Sequence, residues 1–321
     1  MMWALFWAWL CIAVIFQGEC APPSDDPRHK LVALASNVTG ADGYVYGARD
    51  HRGNTMDCVK IIKRPNSEEF IAVYHTYIDN VPRVNLAISD NLRNWTWLQQ
   101  LGYYGSQPTI AVPTDYPDGF ILAWEQEPHN HLQVVFYASW SDLQNNIAQK
   151  NYSVPQTLSK CAEGTPNIYG EPTLNNINFG FHFFDNCIVD RQASGTLQNF
   201  NQWINVERRQ NIDNAILYWG VKGNIGDRDA LSNFENFAFT IIEGQYTPHD
   251  FGTWRVFIFD PQTGNADPIS VVTHGKSQAF ANPTMTMATW NGQSILIVTL
   301  FVPSEQSAAG EAGELIFYHK L

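Results

Sequence analysis

Three short stretches of the sequence place a polar side chain directly before the dipeptide Pro-Thr. They are SQPTIAV, YGEPTL and ANPTM, and their polar residues are Gln107, Glu171 and Asn282. Only Glu171 is an acid, and a positioned carboxyl group can donate or accept a proton during a reaction. Hydrolysis of a glycosidic bond needs two such groups, one protonated and one ionised. The sequence therefore raises the question of which second carboxyl group lies near Glu171.

The segments that carry these residues have the composition of β-strands. Runs such as FIAVYHTY, FILAWEQ, LQVVFYASW and FGFHFFD are rich in β-branched and aromatic residues, and turn clusters such as TDYPDG, PQTGN and WNGQ separate them. Helical periodicity is almost absent. The pattern predicts an all-β protein.

A repeat of about fifty residues organises these strands. The stretches SDNLRNWTW, SWSDLQNN and SGTLQNFNQW place Leu92, Leu143 and Leu197 at that spacing. The stretch MDCVKIIKRPNSEEFIAVYH superimposes on SQPTIAVPTDYPDGFILAWE without a gap when Asp57 is placed on Gln107. The repeat divides the chain into five units: 44–100, 101–155, 156–210, 211–270 and 271–321.

Five units of this length predict a five-bladed β-propeller, with residues 44–321 as a single domain of four-stranded blades. The fourth unit lacks the Pro-Thr entry, and GDRDALSNFENFAFTIIEGQY fills that place as an inner hairpin followed by the strand WRVFIFD. The last unit is one strand short. The segment before Asp50, including residues 21–43, could supply that strand and close the ring.

The innermost strand of each blade lines the channel, so the residue that opens it lies at one mouth. The alignment places these residues there: Asp57, Gln107, Glu171, Asp227 or Asp229, and Asn282. The second strand runs antiparallel and ends at the same mouth, where it adds His75, Glu125, Glu127, His182 or Asp185, and Glu243. We therefore expect one face of the disc to collect acids and histidines.

Roles for these residues follow from acid–base hydrolysis. We expect Asp57 as general base and Glu171 as general acid, two blades apart, a placement compatible with the wider carboxyl separation of inverting enzymes. Glu125 or Asp229 would raise the pKa of the acid or hold substrate. Substrate contacts are expected from Gln107, Trp124, His75, His182, Asp227, Arg228, Glu243 and Asn282. Trp124 is the candidate platform for a sugar ring, and Asp227, Arg228 and Asp229 form either a salt-bridge cluster or part of the binding site.

These residues resemble those of arabinanase-like five-bladed propellers of glycoside hydrolase family 43 and its relatives. Asp57 before the first inner strand, Glu171 beside a proline in the third blade and the turn SDNLRNWTW are similar to features of that family. The resemblance implies hydrolysis of a polysaccharide or oligosaccharide with inversion. The chain departs from the family at Cys58, where a proline is usual, and in SQPTI, which lacks the family's pKa-tuning Asp; that role would pass to Glu125.

The same resemblance concerns a bound ion and a rival function. His274 in HGKSQAFANPTM is similar to a last-blade histidine that lies near a central ion, which makes it a candidate ligand for a structural Ca²⁺ or other ion in the channel; no other cofactor is expected. The stretches AEGTPNI and GDRD are also similar to secreted bacterial propellers without a known activity. A non-catalytic carbohydrate-binding propeller is therefore the alternative.

Residues 1–20, MMWALFWAWLCIAVIFQGEC, form an apolar run of signal-peptide length. We expect cleavage after Cys20 and export, with a retained membrane anchor as the alternative. Acceptor sites for N-linked glycans fit an exported glycoprotein; they are Asn37, Asn94 and Asn151. Of the cysteines that remain, we expect Cys161 to pair with Cys187, and Cys58 to stay free and buried.

Charge limits the partners of the protein. The formal net charge is −12, which argues against nucleic acid and anionic lipid because binding to phosphate needs clustered Lys and Arg. Aromatic residues make up 13% of the chain, a share that suits both strands and flat surfaces for sugars. We expect an extracellular monomer with a carbohydrate partner and no membrane contact after cleavage.

Overall fold

The computed structural model describes residues 26–321, so the expected signal peptide lies outside the described residues. Five antiparallel sheets of four strands each surround a central channel. The predicted all-β, five-bladed propeller is therefore confirmed. Within the described part of the chain, no helix combines the length and apolar character needed to span a membrane.

Helix α1 (Pro27–Ser36) and strand β1 (Gly43–Val45) precede the first complete blade. The first blade comprises β2 (Asp57–Lys63), β3 (Phe70–Ile78), β4 (Val81–Ser89) and β5 (Thr96–Tyr103). The second comprises β6 (Gly105–Ala111), β7 (Phe120–Gln126), β8 (His131–Tyr137), the short helix α2 (Trp140–Gln144) and β9 (Lys150–Ser153). The third comprises β10 (Glu163–Thr173), β11 (Asn176–Asp185), β12 (Val189–Gln198) and β13 (Gln202–Arg208).

Helix α3 (Gln210–Leu217) links the third blade to the fourth. The fourth blade comprises β14 (Arg228–Phe234), β15 (Phe237–Gln245), a 3₁₀ turn (Phe251–Thr253), β16 (Trp254–Asp260) and β17 (Asn265–Ile269). The fifth comprises β18 (Ala281–Trp290), β19 (Gln293–Val302), a 3₁₀ turn (Ser304–Gln306) and β20 (Gly313–Lys320). Strand β1 adds to this last sheet by pairing with β20 in the register Gly43↔Tyr318, so the fifth blade joins the two ends of the described chain.

The inner strands share a break in register close to their start. In four blades the break spans the same three-residue step: Asp57–Lys60, Ser106–Thr109, Gly164–Asn167 and Ala281–Thr284. The residue after the first of each pair has a positive φ: Cys58 54°, Gln107 53°, Thr165 45° and Asn282 45°. In these four blades the β-bulge therefore changes the direction in which side chains point at the start of the inner strand.

The shared bulge corrects the sequence alignment of the third blade. Thr165, and not Glu171, occupies the position of Gln107 and Asn282. Pro166 therefore corresponds to the prolines of SQPTIAV and ANPTM, whereas the proline after Glu171 lies near the far end of the same strand. The prediction that Glu171 opens an inner strand is wrong.

Apolar side chains between adjacent blades form the core. One cluster joins the fourth and fifth blades and includes Phe239, Ile258, Leu296 and Phe317, and helix α1 covers its edge with Leu31. Another joins the second and third blades. Helix α3 packs between the third and fourth blades and completes the core there. Each blade therefore buries both faces of its sheet, and this packing on two sides fixes the position of the inner strands around the channel.

The cysteine predictions hold in the described residues. Cys161 and Cys187 form a disulfide with a Cα–Cα distance of 5.7 Å, across the loop that precedes β10 and the turn that follows β11. Cys58 is free and buried. It lies at the bulge of the first inner strand, in the place where the resemblance implied a proline.

Candidate functional site

The face where the inner strands begin, here called the strand-start mouth, holds Asp57 as predicted. Asp57 pairs with His75 across β2 and β3, and its Oδ2 accepts a hydrogen bond from the Thr55 hydroxyl at 3.0 Å. Its side chain is partly exposed. Burial raises the pKa of this carboxyl, and the Thr55 hydroxyl and the Arg49 charge oppose that rise.

Three further carboxyl groups lie near Asp57 around the thiol of Cys58. Burial is the main reason that the Cys58 pKa is well above its usual range, and the charges of four acids add to it: Asp57, Asp227, Glu243 and Glu314. We call these four residues the acidic cluster. They come from the first, fourth and fifth blades, so the propeller brings together acids that are far apart in sequence.

The buried members of the acidic cluster hold protons tightly. Burial raises the pKa of Glu243 to about 7, although two backbone N–H groups donate to its carboxylate. Burial and the neighbouring Glu243 charge raise the pKa of Asp227 well above its usual range. Burial and the Asp57 charge do the same for Glu314, whose Oε1 has no hydrogen-bond partner in the structure. Desolvation outweighs the hydrogen bonds because the charged form loses more than it regains.

Several predicted site residues act instead as links between blades. The backbone N–H of the bulge residue in one blade donates to a side chain of the preceding blade: Gln107 N to His75 Nδ1 at 3.3 Å, Thr165 N to Glu125 Oε2 at 3.0 Å, Asn282 N to Glu243 Oε2 at 2.5 Å and Cys58 N to Glu314 Oε2 at 3.0 Å. These bonds satisfy N–H groups that the bulge removes from the sheet. The polar ring predicted from the sequence is real, and a large part of it stabilises the blade interfaces.

Glu125 illustrates this structural use of a carboxylate. Its Oε2 accepts from Thr165 N, and its Oε1 accepts from Asn130 Nδ2. A Cβ on residue 164 would lie 1.8 Å from Oε2, so the glycine at that position is required by the link. One carboxylate oxygen of Glu125 is bonded within the second blade and the other to the third. Glu125 therefore makes no contact through which it could raise the pKa of Glu171.

Glu171 lies on the opposite face of the disc from Asp57. It falls between the pairs Tyr169↔Asn178 and Thr173↔Asn176, beside the turn where β10 ends and β11 begins. Its side chain is exposed and borders a cavity of about 540 Å³ at the face where the inner strands end. The predicted acid–base pair of Asp57 and Glu171 is therefore not assembled, because the two residues occupy opposite ends of inner strands.

Asp229 lies deep in the channel and is saturated with donors. Its carboxylate accepts from Lys60 Nζ, from Asn167 Nδ2 at 2.5 Å and from Met285 N at 2.9 Å. A tuning role at the mouth does not fit these contacts. The Lys60 ammonium supplies a positive charge beside Asp229. Residues 26–321 contain no group of three or more His, Cys, Asp or Glu arranged to hold a metal.

Arg228 and His182 form a buried network rather than a binding surface. Arg228 is 1% exposed and donates to Thr165 O at 2.8 Å, to Thr165 Oγ1 at 2.6 Å and to Gly226 O at 2.8 Å. The His182 Nδ1 lies 2.7 Å from the same Thr165 hydroxyl. Burial lowers the pKa of both His182 and His75 to about 4, which keeps the two imidazoles neutral at physiological pH.

Tyr77 is an exposed aromatic residue of the mouth that the sequence reasoning missed. Trp124, the predicted sugar platform, is 4% exposed, packs in an inter-blade core and donates through Nε1 to Gln126 Oε1 at 2.8 Å. Tyr77 is 58% exposed. The charges of Cys58, Glu127, Glu125 and Asp57 all raise its pKa after burial, which places its hydroxyl near the strand-start mouth. Its position two residues after His75 on the same strand was the available signal.

Other predicted residues lie farther from the mouth. His274 is exposed and stacks on Tyr44 of β1, with its Nδ1 3.1 Å from the Tyr46 hydroxyl. Because β1 is the outermost strand of its blade, His274 lies at the rim and not at the channel, which corrects its assignment as a ligand of a channel ion.

The three glycan acceptors are all exposed: Asn37, Asn94 and Asn151.

The fold is similar to that of solved glycoside hydrolases. A thermostable family-43 glycoside hydrolase matches with a TM-score of 0.55 and 8% identity, covering 86% of this chain and 93% of that one. An exo-1,5-α-L-arabinanase from a bovine ruminal metagenomic library matches with a TM-score of 0.54 and 8% identity, over 85% and 95%. The α-L-arabinofuranosidase Arb93A from Fusarium graminearum, solved with an iminosugar inhibitor, matches with a TM-score of 0.55 and 8% identity, over 88% and 98%.

These similarities support the five-bladed propeller fold. The chemistry of the protein must be inferred from the residues of its own site. No protein-family model matches the chain, and no curated protein matches it. At such identities a shared fold hosts different activities, because function depends on the residues placed on the fold.

Proposed function

We propose that this protein binds an oligosaccharide at the strand-start mouth. The observation that supports it is the exposed ring of Tyr77 beside the partly exposed carboxylate of Asp57. An aromatic face packs against the apolar face of a sugar ring, and a carboxylate accepts strong hydrogen bonds from hydroxyl groups. Tyr103 and Tyr104, which are also exposed and join the first blade to the second, extend this surface.

The proposed setting is extracellular. The apolar run at residues 1–20 and the exposure of all three glycan acceptors support export of a glycoprotein. Expression in a eukaryotic secretory host tests this: the protein is expected in the medium, and treatment with an endoglycosidase is expected to lower its apparent mass. An intracellular, unglycosylated product would contradict it.

Binding is tested with arabinan and xylan oligosaccharides by isothermal titration calorimetry. Tyr77→Ala is expected to weaken binding about tenfold or more, because a stacked ring and its buried area are lost. Asp57→Asn is expected to weaken it by a similar factor through the loss of a charged acceptor. Glu171→Gln, on the opposite face, is the matched control and should leave affinity unchanged. Equal affinities for wild type, Tyr77→Ala and Asp57→Asn would place any binding site elsewhere.

Hydrolysis is the second candidate function, and the raised pKa of Asp227 favours it. In this scheme Asp227 is the protonated acid and donates its proton to the glycosidic oxygen as the bond from that oxygen to the anomeric carbon breaks. Asp57 takes a proton from the water whose oxygen forms the new bond to that carbon. The two acids come from different blades, and this pair replaces the one predicted with Glu171.

Turnover assays separate the two functions. Under the hydrolytic scheme, wild type releases product from arabinan, xylan or nitrophenyl pentosides, and both Asp57→Asn and Asp227→Asn lower kcat by at least about a hundredfold while the protein stays folded. Glu171→Gln again serves as the control. Binding without turnover would identify a non-catalytic carbohydrate-binding propeller. If either Asp57→Asn or Asp227→Asn keeps full activity, the residue substituted in that variant has no catalytic role.

A further inference from the structure

A second concave site lies on the same face of the disc, formed by the fourth blade and the segment that connects it to the fifth. It is a cleft of about 530 Å³, a volume within the usual range for small-molecule sites. Its walls include Tyr246, Arg255, Val271 and Gln278. Tyr246 directly follows β15 at the mouth end of the strand, two residues beyond Gly244, which pairs with Arg255. The cleft therefore lies radially outward from Glu243 on the strand-start face.

Arg255 is the unusual group in this cleft. Its guanidinium is partly buried, and burial lowers its pKa. Its Nη1 donates to Gly252 O at 3.1 Å and Trp254 O at 2.8 Å, which fixes the plane of the guanidinium. Within residues 26–321 no carboxylate forms an ion pair with it. Because no carboxylate balances this partly buried charge, the remaining N–H donors form a preoriented site for an anion.

The surrounding charges favour an anion held by Arg255 and Lys276. Lys276 is an exposed cation that also lines the cleft. Asp250 is close enough to raise the Arg255 pKa, but its Oδ1 accepts from Gly252 N at 3.0 Å. Glu311 lies behind the wall and is bonded to Thr273, Gly275 and Ser277, among them Gly275 N at 2.6 Å. Each of these acids thus accepts a hydrogen bond from a group other than Arg255.

The remaining lining suits a sugar that carries a carboxylate. The Tyr246 ring and the apolar Val271 offer packing for a pyranose ring, and Ser270 and Gln278 offer hydrogen bonds to hydroxyl groups. We infer that this cleft is a subsite for a uronic acid residue of an acidic oligosaccharide, with its carboxylate on Arg255. This inference rests on the proposed carbohydrate function and names the substrate class that the strand-start face receives.

The test compares a short oligogalacturonate with a neutral galactan oligosaccharide of the same length by isothermal titration calorimetry. Wild type is expected to bind the oligogalacturonate at least about tenfold more tightly at low salt, and the preference should shrink as salt is added. Arg255→Gln should abolish the preference and leave affinity for the neutral oligosaccharide unchanged. Arg255→Lys, which keeps the charge without the fork, should retain part of it. Arg52→Gln, which removes a guanidinium stacked on Trp97 in the first blade, is the control.

The outcomes separate this inference from the proposed function. Equal binding of both oligosaccharides by wild type, or an unchanged preference in a folded Arg255→Gln protein, would overturn the subsite while leaving the mouth as a carbohydrate site. If wild type binds neither of these oligosaccharides and also fails to bind arabinan and xylan fragments, the proposed function itself is overturned. Arg255-dependent binding of an apolar peptide with a free carboxyl terminus, without binding of oligogalacturonate, would also overturn the sugar assignment. Circular dichroism and thermal melts establish that each variant is folded.

Discussion

The backbone N–H of Thr165 in the third blade donates to the carboxylate of Glu125 in the second at 3.0 Å. Both residues are buried, so removing the carboxylate leaves an N–H group without a partner. We expect Glu125→Ala to lower the free energy of unfolding by about 2–4 kcal/mol. Urea unfolding followed by tryptophan fluorescence measures this loss.

The matched control for that variant is Glu127→Ala, two residues along the same chain segment, whose side chain makes no hydrogen bond in the described structure. It should change the unfolding free energy by less than about 0.5 kcal/mol. Similar losses in the two variants would mean that the inter-blade bond contributes nothing specific.

Glu243 should make the folded protein less stable as the pH rises toward neutrality, against an opposite contribution from His75 and His182, whose pKa values burial lowers to about 4. Burial raises the pKa of Glu243 from its ordinary 4.5 to about 7, so the folded protein binds this proton more tightly than the unfolded chain does. The resulting stability is fully present below about pH 4.5 and is lost as the pH rises through 7. Asp190 and Asp213, whose pKa values burial raises to about 6, act with the same sign.

Urea melts at several pH values between 5 and 8 test that slope. Wild type should lose about 1–3 kcal/mol over the range through Glu243 alone. Glu243→Gln should have a flatter profile because its amide does not titrate. Because His75 and His182, whose pKa values burial lowers to about 4, contribute to the wild-type slope with the opposite sign, the comparison of the two proteins is decisive. An identical slope in wild type and variant would show that Glu243 is ionised in the folded protein at pH 5.

The thiol of Cys58 should be inert in the folded protein. It is buried, and its pKa is raised well above the usual range by burial and by the acidic cluster. Since the thiolate is the reactive species, labelling with a thiol reagent at pH 8 should be at least about a hundredfold slower in buffer than in urea. Rapid labelling of the native protein would show that the thiol is accessible.

The disulfide between Cys161 and Cys187 should stabilise the third blade. The two cysteines are 26 residues apart, and closing a loop of that size in the unfolded chain is worth about 3–4 kcal/mol. Replacing both cysteines by serine should lower the melting temperature by several degrees, and treatment of wild type with a reductant should have the same effect. An unchanged melting temperature under both conditions would contradict a stabilising role.

The sequence predicts the sheets far better than it predicts the site. Runs such as FILAWEQ and WRVFIFD form strands because β-branched and aromatic residues fit between packed sheets, and this requirement repeats in every blade. Glu171 was misplaced because the third inner strand contains two prolines. TPN at Thr165 forms the bulge, whereas EPT only resembles the other entries in its letters.

The sequence repeat also does not predict which side chains are exposed. Trp124 and Tyr77 both lie near acids on second strands, and periodicity gives no reason to prefer one. Trp124 is buried because Gly102 of β5 and Gly105 of β6 have no side chains, which leaves room for its indole to pack against these two strands. Glu314 lies on β20, the third strand of its blade, and an alignment of first and second strands does not reach it.

The pairing of β1 with β20 has a consequence for how the chain reaches its native state. During synthesis Gly43–Val45 leave the ribosome long before their partners at Ile316–Tyr318. The earlier blades can form in turn while β1 waits without its hydrogen bonds. The final seam therefore involves a contact of very large sequence separation, which makes it a slow step, and until it forms the exposed edge of β20 or β1 is open to pairing with another molecule.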